Sequence, residues 1–340
     1  MKKYLIALLL VGIGLTSCNN SPLHHPDYGM TSVYFAYQTP VRTIVLGEDE
    51  TTDTTLDNEY RCQIIATIGG LYEQTKEVEI GIKVDNSLVD NLSFDGTRDV
   101  LAMPSNYYTL GSTDRITMPK GEFFGRLDVQ LTDAFFSDPL AVENNYVIPI
   151  LMTGVSNADS ILQGIPLFPN PNRAIDNDWD VLPKDYILYA VKYINKYTAN
   201  WLRGGTDVFS GSRTGTVERD KEYVEYNEVI ATSTISLNAV EYPVSVMDAN
   251  NTQRDCTLIL TFDSVTGNCT VTSGTEEVAV SGSGKYEAHG AKQSWGNKDR
   301  DRITLNYTLD FGDMQVATDD VLVIRDRGVL RQEFTPVLKN

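Results

Sequence analysis

Histidine and cysteine are scarce in this chain, and their scarcity limits the chemistry it can perform. The 340 residues include three His and four Cys. His24 and His25 lie in a polar N-terminal segment, so His289 is the one His in the body of the chain. A zinc tetrad or a Ser-His-Asp triad would therefore depend on very few side chains. We predict no metal site, no cofactor and no catalytic residue.

Basic residues are also few, and no segment concentrates them. The 28 Lys and Arg stand against 46 Asp and Glu, which gives a formal net charge of -18. A surface this acidic repels phosphate backbones, and this excludes nucleic acid as a partner. The acidic run Glu48-Asp49-Glu50 lacks the spacing of a calcium loop, so we interpret it as a solvated loop.

The motifs of common enzyme classes are missing from the sequence. It has no phosphate-binding glycine loop and no Gly-x-Ser-x-Gly nucleophile elbow. The carboxylate motif of family 18 glycoside hydrolases is missing too, and their (β/α)8 barrel needs about 250 residues. We therefore predict that the chain is not an enzyme.

The longest apolar run lies at the N-terminus. Tyr4 to Leu15 spans about a dozen residues, too few for a bilayer core that needs about 20, and a basic start precedes it. This pattern predicts a signal peptide over residues 1–17. The sequence Leu15-Thr16-Ser17-Cys18 resembles the lipobox of bacterial lipoproteins, which implies a lipid anchor on Cys18 and a tether over residues 18–30. The alternative is a plain secretory signal with an incidental Cys.

The other cysteines are Cys62, Cys256 and Cys269, an odd number that leaves at least one thiol unpaired. The sequence from Cys256 onward is typical of a hairpin whose turn spans Asp263 to Asn268. In that register Phe262 faces Cys269, while Cys256 lies roughly 20 Å away along its strand, too far for a disulfide. We predict that Cys256 and Cys269 are free thiols packed in the interior.

Short β-branched or aromatic runs alternate with Gly, Pro, Asn and Asp turns along the chain, and no comparably long stretch has helical periodicity. In Val78 to Val84 every second residue is apolar, as in a strand with one buried face. Residues 31–163 therefore predict an immunoglobulin-like β-sandwich. Residues 185–340 predict a closed up-and-down antiparallel barrel, with a second sandwich as the alternative. The proline-rich residues 164–184 between them predict a linker.

Two groups of short motifs indicate a family. The first group comprises Arg42 to Glu50 (RTIVLGEDE), Asp57 to Ile64, Met103 to Leu110 and Leu131 to Phe136. It resembles the N-terminal module of Bacteroidetes lipoproteins known as domain-of-unknown-function family 1735. The second group comprises Asp178 to Tyr186, Tyr193 to Tyr197 and Ser294 to Lys298. It resembles the lipocalin-like C-terminal domain found with that module. The resemblance implies an all-β protein, with an immunoglobulin-like β-sandwich followed by a lipocalin-like antiparallel β-barrel whose base Trp201 closes.

The same resemblance implies a lipoprotein of a glycan-foraging bacterium, of the kind also described as an adhesin. Its partners would be the membrane, through Cys18, an oligosaccharide or polysaccharide, and other envelope proteins of glycan uptake. The resemblance favours the outer membrane and display at the cell surface. However, Asn19 to Pro22 follow Cys18 where acidic residues are usual, which leaves a position facing the periplasm open.

Aromatic side chains are the candidates for contact with carbohydrate, because sugar C–H faces stack on rings while polar side chains bond the hydroxyls. Trp295, in the polar loop Gln293 to Lys298, is the first candidate; the alternatives are that it caps the barrel or packs on the other domain. Tyr107 and Tyr108, beside Asn106, form a second candidate patch, with core packing as the alternative.

These inferences favour a non-catalytic, lipid-anchored envelope protein that binds carbohydrate in support of glycan uptake or adhesion. A lipocalin-like carrier of a small apolar ligand is the second hypothesis, and it requires an internal cavity in the barrel. The third is a structural module for protein–protein contact, which requires a broad apolar surface patch.

Overall fold

The computed structural model describes residues 27–339, and nearly all of the regular structure in that range is β. The predicted signal peptide, Cys18 and most of the predicted tether lie outside the described residues. No helix within residues 27–339 is long and apolar enough to cross a membrane. The helices of this range are the short α1 (Thr55–Asn58) and α2 (Asp133–Phe136), with 3-10 turns at Asn86–Val89, Pro139–Val142, Asp176–Asp178, Val224–Tyr226 and Trp295–Asn297.

Two sheets form a β-sandwich from the first part of the chain and its last residues. The strands up to residue 194 are β1 (Ser32–Phe35), β2 (Pro40–Val45), β3 (Arg61–Gly69), β4 (Val78–Val84), β5 (Leu92–Ser93), β6 (Leu101–Ala102), β7 (Tyr108–Leu110), β8 (Arg115–Met118), β9 (Phe124–Leu131), β10 (Tyr146–Ser156), β11 (Ser160–Ile161), β12 (Ile165–Pro166), β13 (Trp179–Val181) and β14 (Tyr186–Ile194). The strands after the barrel are β25 (Gln332–Glu333) and β26 (Val337–Leu338). One sheet has the order β11-β1-β3-β9-β7 and the other the order β25-β2-β14-β10-β4-β8, with β6 beside β10.

Alternating apolar side chains build the core between these sheets. In β9, Leu127, Val129 and Leu131 are buried and the residues between them are exposed, which is the period of a strand with one buried face. They pack in one cluster with Ile64 of the same sheet and Ile80 of the facing sheet. The predicted sandwich is confirmed.

A single curled antiparallel sheet, which we call the barrel, forms most of the rest of the chain. Its strands are β15 (Asn200–Gly211), β16 (Gly215–Glu218), β17 (Glu228–Ala231), β18 (Ser233–Ser236), β19 (Ala239–Met247), β20 (Gln253–Phe262), β21 (Asn268–Ser273), β22 (Ala279–Ala291), β23 (Arg300–Asp310) and β24 (Met314–Asp326). The order is β16-β15-β24-β23-β22-β21-β20-β19-β18, with β17 also paired to β15. Because β17 and β18 are separated only by Thr232, their pairing with β15 and β19 brings the two ends of the sheet together. The Trp201 ring is buried at this junction, and its indole N–H donates to Thr232 Oγ1 at 3.0 Å.

The hairpin formed by β20 and β21 has the predicted register, with Phe262 opposite Cys269. Cys62, Cys256 and Cys269 are free and buried. Cys256 and Cys269 pack in the barrel core, as predicted.

The predicted domain boundary at residue 185 is wrong. β14 pairs antiparallel with β10 and parallel with β2, which makes it a central strand of the sandwich. Its residues Tyr186 to Val191 are buried without alternation, because one face meets the sandwich core and the other meets a second apolar cluster that includes Phe334. A strand with one solvent face would alternate. The barrel begins instead at Asn200, and the chain returns to the sandwich through β25 and β26.

The predicted linker, residues 164–184, is folded onto the sandwich. Within it β12 and β13 pair as a two-stranded ribbon. Ala174 is buried in the same apolar cluster as Phe334, and Arg173 pairs with the buried Asp185 at 3.1 Å. This segment is therefore part of the sandwich domain.

Arg327 links the barrel to the sandwich. Its side chain is only 6% exposed. It donates to the carbonyls of Leu46 at 3.0 Å and Glu48 at 3.1 Å, in the loop after β2. It also donates to those of Asn195 at 2.7 Å and Thr198 at 2.8 Å, between β14 and β15. These bonds compensate the burial of the guanidinium and fix the two domains relative to one another.

Candidate functional site

A pocket of about 480 Å³ lies between the two domains, next to Arg327. We call it the seam pocket. The loop after β2 forms its wall on the sandwich side, and the ends of β22, β23 and β24 form its wall on the barrel side. The lining residues are Glu48, Asp49, Glu50, Thr51, His289, Trp295, Asp299, Arg300, Asp301, Ile324, Arg325, Asp326 and Arg327.

The Trp295 ring is held in a fixed position on the barrel wall of this pocket. The residue begins a 3-10 turn between β22 and β23. Its indole N–H donates to the carbonyl of Ile324 at 3.0 Å, and the Arg300 guanidinium lies 3.7 Å from the ring centroid. Such cation–π stacking covers one face of the ring. The ring is half-buried, so it is part of a pocket wall instead of the freely exposed platform that the sequence suggested.

Arg300 connects this ring to the acidic loop of the sandwich. It is almost fully buried and pairs with Glu50 at 2.7 Å, and Lys298 pairs with the same carboxylate at 2.8 Å. The hydrogen bond from Lys298, together with the charge of Arg300, lowers the pKa of Glu50. The acidic loop, interpreted from sequence as solvated, is therefore tied to the barrel by two ion pairs.

His289 also lies on this seam. Its Nε2 is 3.3 Å from a carboxylate oxygen of Glu48, and its backbone N–H donates to Asp301 at 2.8 Å. The backbone has a positive φ of 51° at this residue. The imidazole Nδ1 lies 3.9 Å from Asp301, so the ring faces carboxylates of both domains, an arrangement that suits an interdomain contact.

Tyr107 and Tyr108 lie in the sandwich and do not line the seam pocket. Tyr108 is buried in the core. The Tyr107 hydroxyl donates to Asp138 at 2.7 Å, and its ring packs edge-on against Tyr146. Tyr108 is therefore a core residue, whereas Tyr107 is partly buried and packs against the edge of the core.

Side chains fill the interior of the barrel. Asp320 accepts hydrogen bonds from the Tyr242 hydroxyl at 2.7 Å, the Tyr307 hydroxyl at 2.8 Å and Arg203 at 3.1 Å, and it also pairs with Arg219. Burial raises the pKa of both phenols well above their usual range, so they stay protonated and donate. An apolar ligand would have to displace this buried charged network, which counts against the carrier hypothesis.

Sequence reasoning treated Trp295, His289 and the acidic run Glu48 to Glu50 as separate features, and the structure brings all three into one pocket. The signal that could have joined them is charge complementarity. Lys298 and Arg300 follow Trp295 closely in the sequence, and the acidic run is a natural partner for them.

Two family models match the chain, and each covers one domain. Residues 196–328 match the family described as Domain of unknown function (DUF5627). Residues 28–159 match a family described as an N-terminal domain. Neither description bears the family number expected from the sequence or names a lipocalin, so those two finer expectations are not confirmed.

A crystal structure of a Bacteroides ovatus protein of unknown function is similar over nearly the whole chain. It is 43% identical, with a TM-score of 0.87, over 92% of this chain and 100% of that one. An auxiliary nutrient binding protein from Bacteroides thetaiotaomicron is 12% identical, with a TM-score of 0.39, over 84% of this chain and 90% of that one. A second Bacteroides ovatus protein of unknown function is 9% identical, with a TM-score of 0.41, over 90% and 99% of the two chains. The last two TM-scores are too low to carry a functional argument, and no curated protein is significantly similar to the sequence.

Proposed function

The chain belongs to the family of the 43% identical Bacteroides ovatus protein, and we propose that it is a non-catalytic, lipid-anchored envelope protein whose seam pocket binds carbohydrate. The observation that carries this proposal is the Trp295 ring, which is fixed on the pocket wall among charged and polar side chains. Binding there would serve glycan uptake or adhesion.

The composition of the seam pocket suits a sugar. A ring face supports the apolar C–H side of a pyranose, and sugar hydroxyls both donate and accept hydrogen bonds. Asp49, Asp299 and Asp301 offer acceptors, while Arg325 offers donors. The volume of about 480 Å³ lies within the range of small-molecule sites.

The charge states of Glu50 and Asp299 suit binding more than general-acid catalysis. A glycosidase needs a carboxyl group that stays protonated as a general acid, usually through a raised pKa. Here Lys298 lowers the pKa of Glu50, and the backbone N–H of Gln293 lowers that of Asp299. Ionised carboxylates accept hydrogen bonds from hydroxyls but have no proton to donate, so these two side chains suit recognition.

The membrane attachment in this proposal depends on Cys18. Acyl chains on this residue would hold the chain at the outer membrane, because each buried CH₂ contributes about 0.8 kcal/mol. Single-site affinity for a glycan would be weak, since stacking adds only about 0.5–1.5 kcal/mol for each ring pair beyond area burial. Many copies on one membrane would compensate through avidity.

The test is a glycan array with the chain from Ser21 onward, which keeps every described residue. We expect binding to a defined oligosaccharide, at least tenfold weaker binding for Trp295→Ala, and partial retention for Trp295→Phe, which keeps a ring. Tyr223→Ala is the matched control, because Tyr223 is an exposed aromatic residue outside the seam pocket. It should bind as the parent does.

Circular dichroism and thermal unfolding would show that each variant is folded. A folded parent that binds no glycan would contradict the proposed function. Undiminished binding by folded Trp295→Ala would contradict the assignment to the seam pocket.

A further inference from the structure

The ribbon formed by β12 and β13 presents an exposed apolar surface. Ile165, Leu167, Phe168, Val181 and Leu182 are each 47–60% exposed. We call these five residues the apolar ribbon. A contiguous exposed surface of large apolar side chains on a soluble domain generally marks a contact with another molecule or a membrane.

The backbone pairing explains why these side chains point outward. Ile165 pairs with Val181 and Pro166 pairs with Trp179, with a bulge between the two pairs. The extra residue of a bulge changes which side of the strand the next side chain faces. As a result Trp179 is buried against the sandwich, while Ile165 and Val181 face solvent.

The ribbon is held in place, so its exposure does not come from a loose loop. The Trp179 indole N–H donates to the carbonyl of Asn172 at 2.8 Å. The backbone N–H of Leu167 donates to Asp178 at 2.9 Å. At Gly164, φ is +74° and a Cβ would lie 2.5 Å from the carbonyl of Val181, so the turn into the ribbon requires glycine.

The base of the apolar ribbon, at Leu162 and Lys184, lies beside the point where the described chain begins. The backbone N–H of Lys184 donates to Leu162 at 2.8 Å and closes the base of the ribbon. Leu162 and Lys184 share a groove with Tyr28 and Met30, both of which are exposed. Nine residues lie between Cys18 and Tyr28, and a fully extended chain over that span reaches at most about 35 Å. A lipid on Cys18 would therefore keep this side of the sandwich close to the bilayer.

We propose that the apolar ribbon, with Tyr28 and Met30, rests in the interfacial layer of the bilayer and orients the protein on the membrane. This inference rests on the lipid anchor of the proposed function. Aromatic and aliphatic side chains at the level of the headgroups are typical of proteins that lie on a membrane. The chain is acidic, and Asp176, Asp178 and Asp180 lie close to the ribbon in sequence. Because these carboxylates repel anionic headgroups, we expect the ribbon to prefer zwitterionic headgroups.

The test measures membrane contact without the anchor. The chain from Ser21 onward lacks Cys18, and its three remaining thiols are buried, so an environment-sensitive thiol dye will report on an introduced cysteine. Phe168→Cys places the dye on the apolar ribbon. Val265→Cys is the matched control, because Val265 is 91% exposed in the turn between β20 and β21 of the barrel.

With phosphatidylcholine vesicles we expect the dye at position 168 to report an apolar environment and the dye at 265 to stay unchanged. Adding Leu167→Ser and Val181→Ser should weaken vesicle binding at least tenfold, and phosphatidylglycerol in the vesicles should weaken it as well.

An unchanged signal at 168 would overturn the proposal. A signal that rises with protein concentration in the absence of vesicles would overturn it too, because the apolar ribbon would then be covered by a second copy of the chain. The glycan array is carried out separately on the unlabelled chain. Failure of membrane binding can therefore be told apart from failure of glycan binding.

Discussion

At the scale of single residues, Asp320 connects the buried charged network inside the barrel. Its carboxylate is fully buried and is shared by two guanidinium groups and two phenols. Removal of one partner from a buried ion pair leaves the other charge uncompensated, and this costs more than loss of the pair as a whole. The stability of the barrel should therefore depend strongly on this one side chain.

We predict that Asp320→Ala lowers the free energy of unfolding by about 3–5 kcal/mol. Arg203 and Arg219 each lose one buried counter-charge and keep Glu228 and Asp207, respectively, and the hydroxyls of Tyr242 and Tyr307 lose their acceptor. Urea denaturation followed by circular dichroism measures this change. Asp319→Ala is the control, since Asp319 is exposed on the outer face of the same strand; it should cost less than about 1 kcal/mol. Equal losses in the two variants would contradict the account of the buried network.

At the scale of elements, β15 approaches its neighbours closely at two successive glycines, and the approach at Gly205 is to backbone. A Cβ on Gly204 would lie 2.0 Å from a carboxylate oxygen of Asp220, and a Cβ on Gly205 would lie 1.9 Å from the carbonyl of Asp319. Gly205 also has a φ of +125°, a conformation that L side chains rarely adopt. The pair lets the segment after β16 and the neighbouring β24 pack directly against the backbone of β15.

Gly205→Ala should lower the free energy of unfolding by at least about 2 kcal/mol, since the strand must shift away from β24 and the backbone is strained. Gly154→Ala in β10 is the control, because a Cβ there meets nothing within 4 Å. It should change stability by less than about 1 kcal/mol. Thermal unfolding of the two variants makes the comparison, and a smaller loss for Gly205→Ala than for Gly154→Ala would contradict it.

The elements differ in how well their sequences predict them. The alternation in β9 specifies a strand and its buried face through local pattern alone. The turn between Phe262 and Cys269 specifies the register of a hairpin in the same way. β14 was assigned to the wrong domain, because a strand buried on both faces carries no alternation to show which surfaces cover it. The ribbon in residues 164–184 was missed for a related reason: its prolines indicated a linker, whereas its pairing is short and lies outside the main sheets.

The candidate site was predictable only in part. The ring of Trp295 could be singled out from its polar loop, but its partner surface comes from Glu48 to Glu50, more than two hundred residues earlier in the chain. A contact this distant depends on how the domains pack, which local sequence does not encode. Tyr107 and Tyr108 show the converse, since a polar neighbourhood in sequence did not prevent their packing in the sandwich.

At the scale of the whole molecule, Arg327 couples the two domains. Arg327→Met removes the donors to four carbonyls while keeping much of the side-chain volume, and it leaves buried polar groups unsatisfied. We expect calorimetry to show two separate transitions, for sandwich and barrel, where the parent shows more cooperative unfolding. Arg325→Met, at a half-exposed position two residues earlier, should leave the parent profile unchanged. An unchanged profile for Arg327→Met would contradict the role of this residue at the seam.

The central claim is that carbohydrate binds between the two domains, and a crystal structure of the chain with the tightest glycan from the array tests it most directly. The account predicts a sugar ring stacked on Trp295, with hydroxyls bonded to carboxylates of the seam pocket from both domains. A glycan bound away from the seam pocket, for example on the exposed rings of Tyr223 and Tyr226, would contradict it.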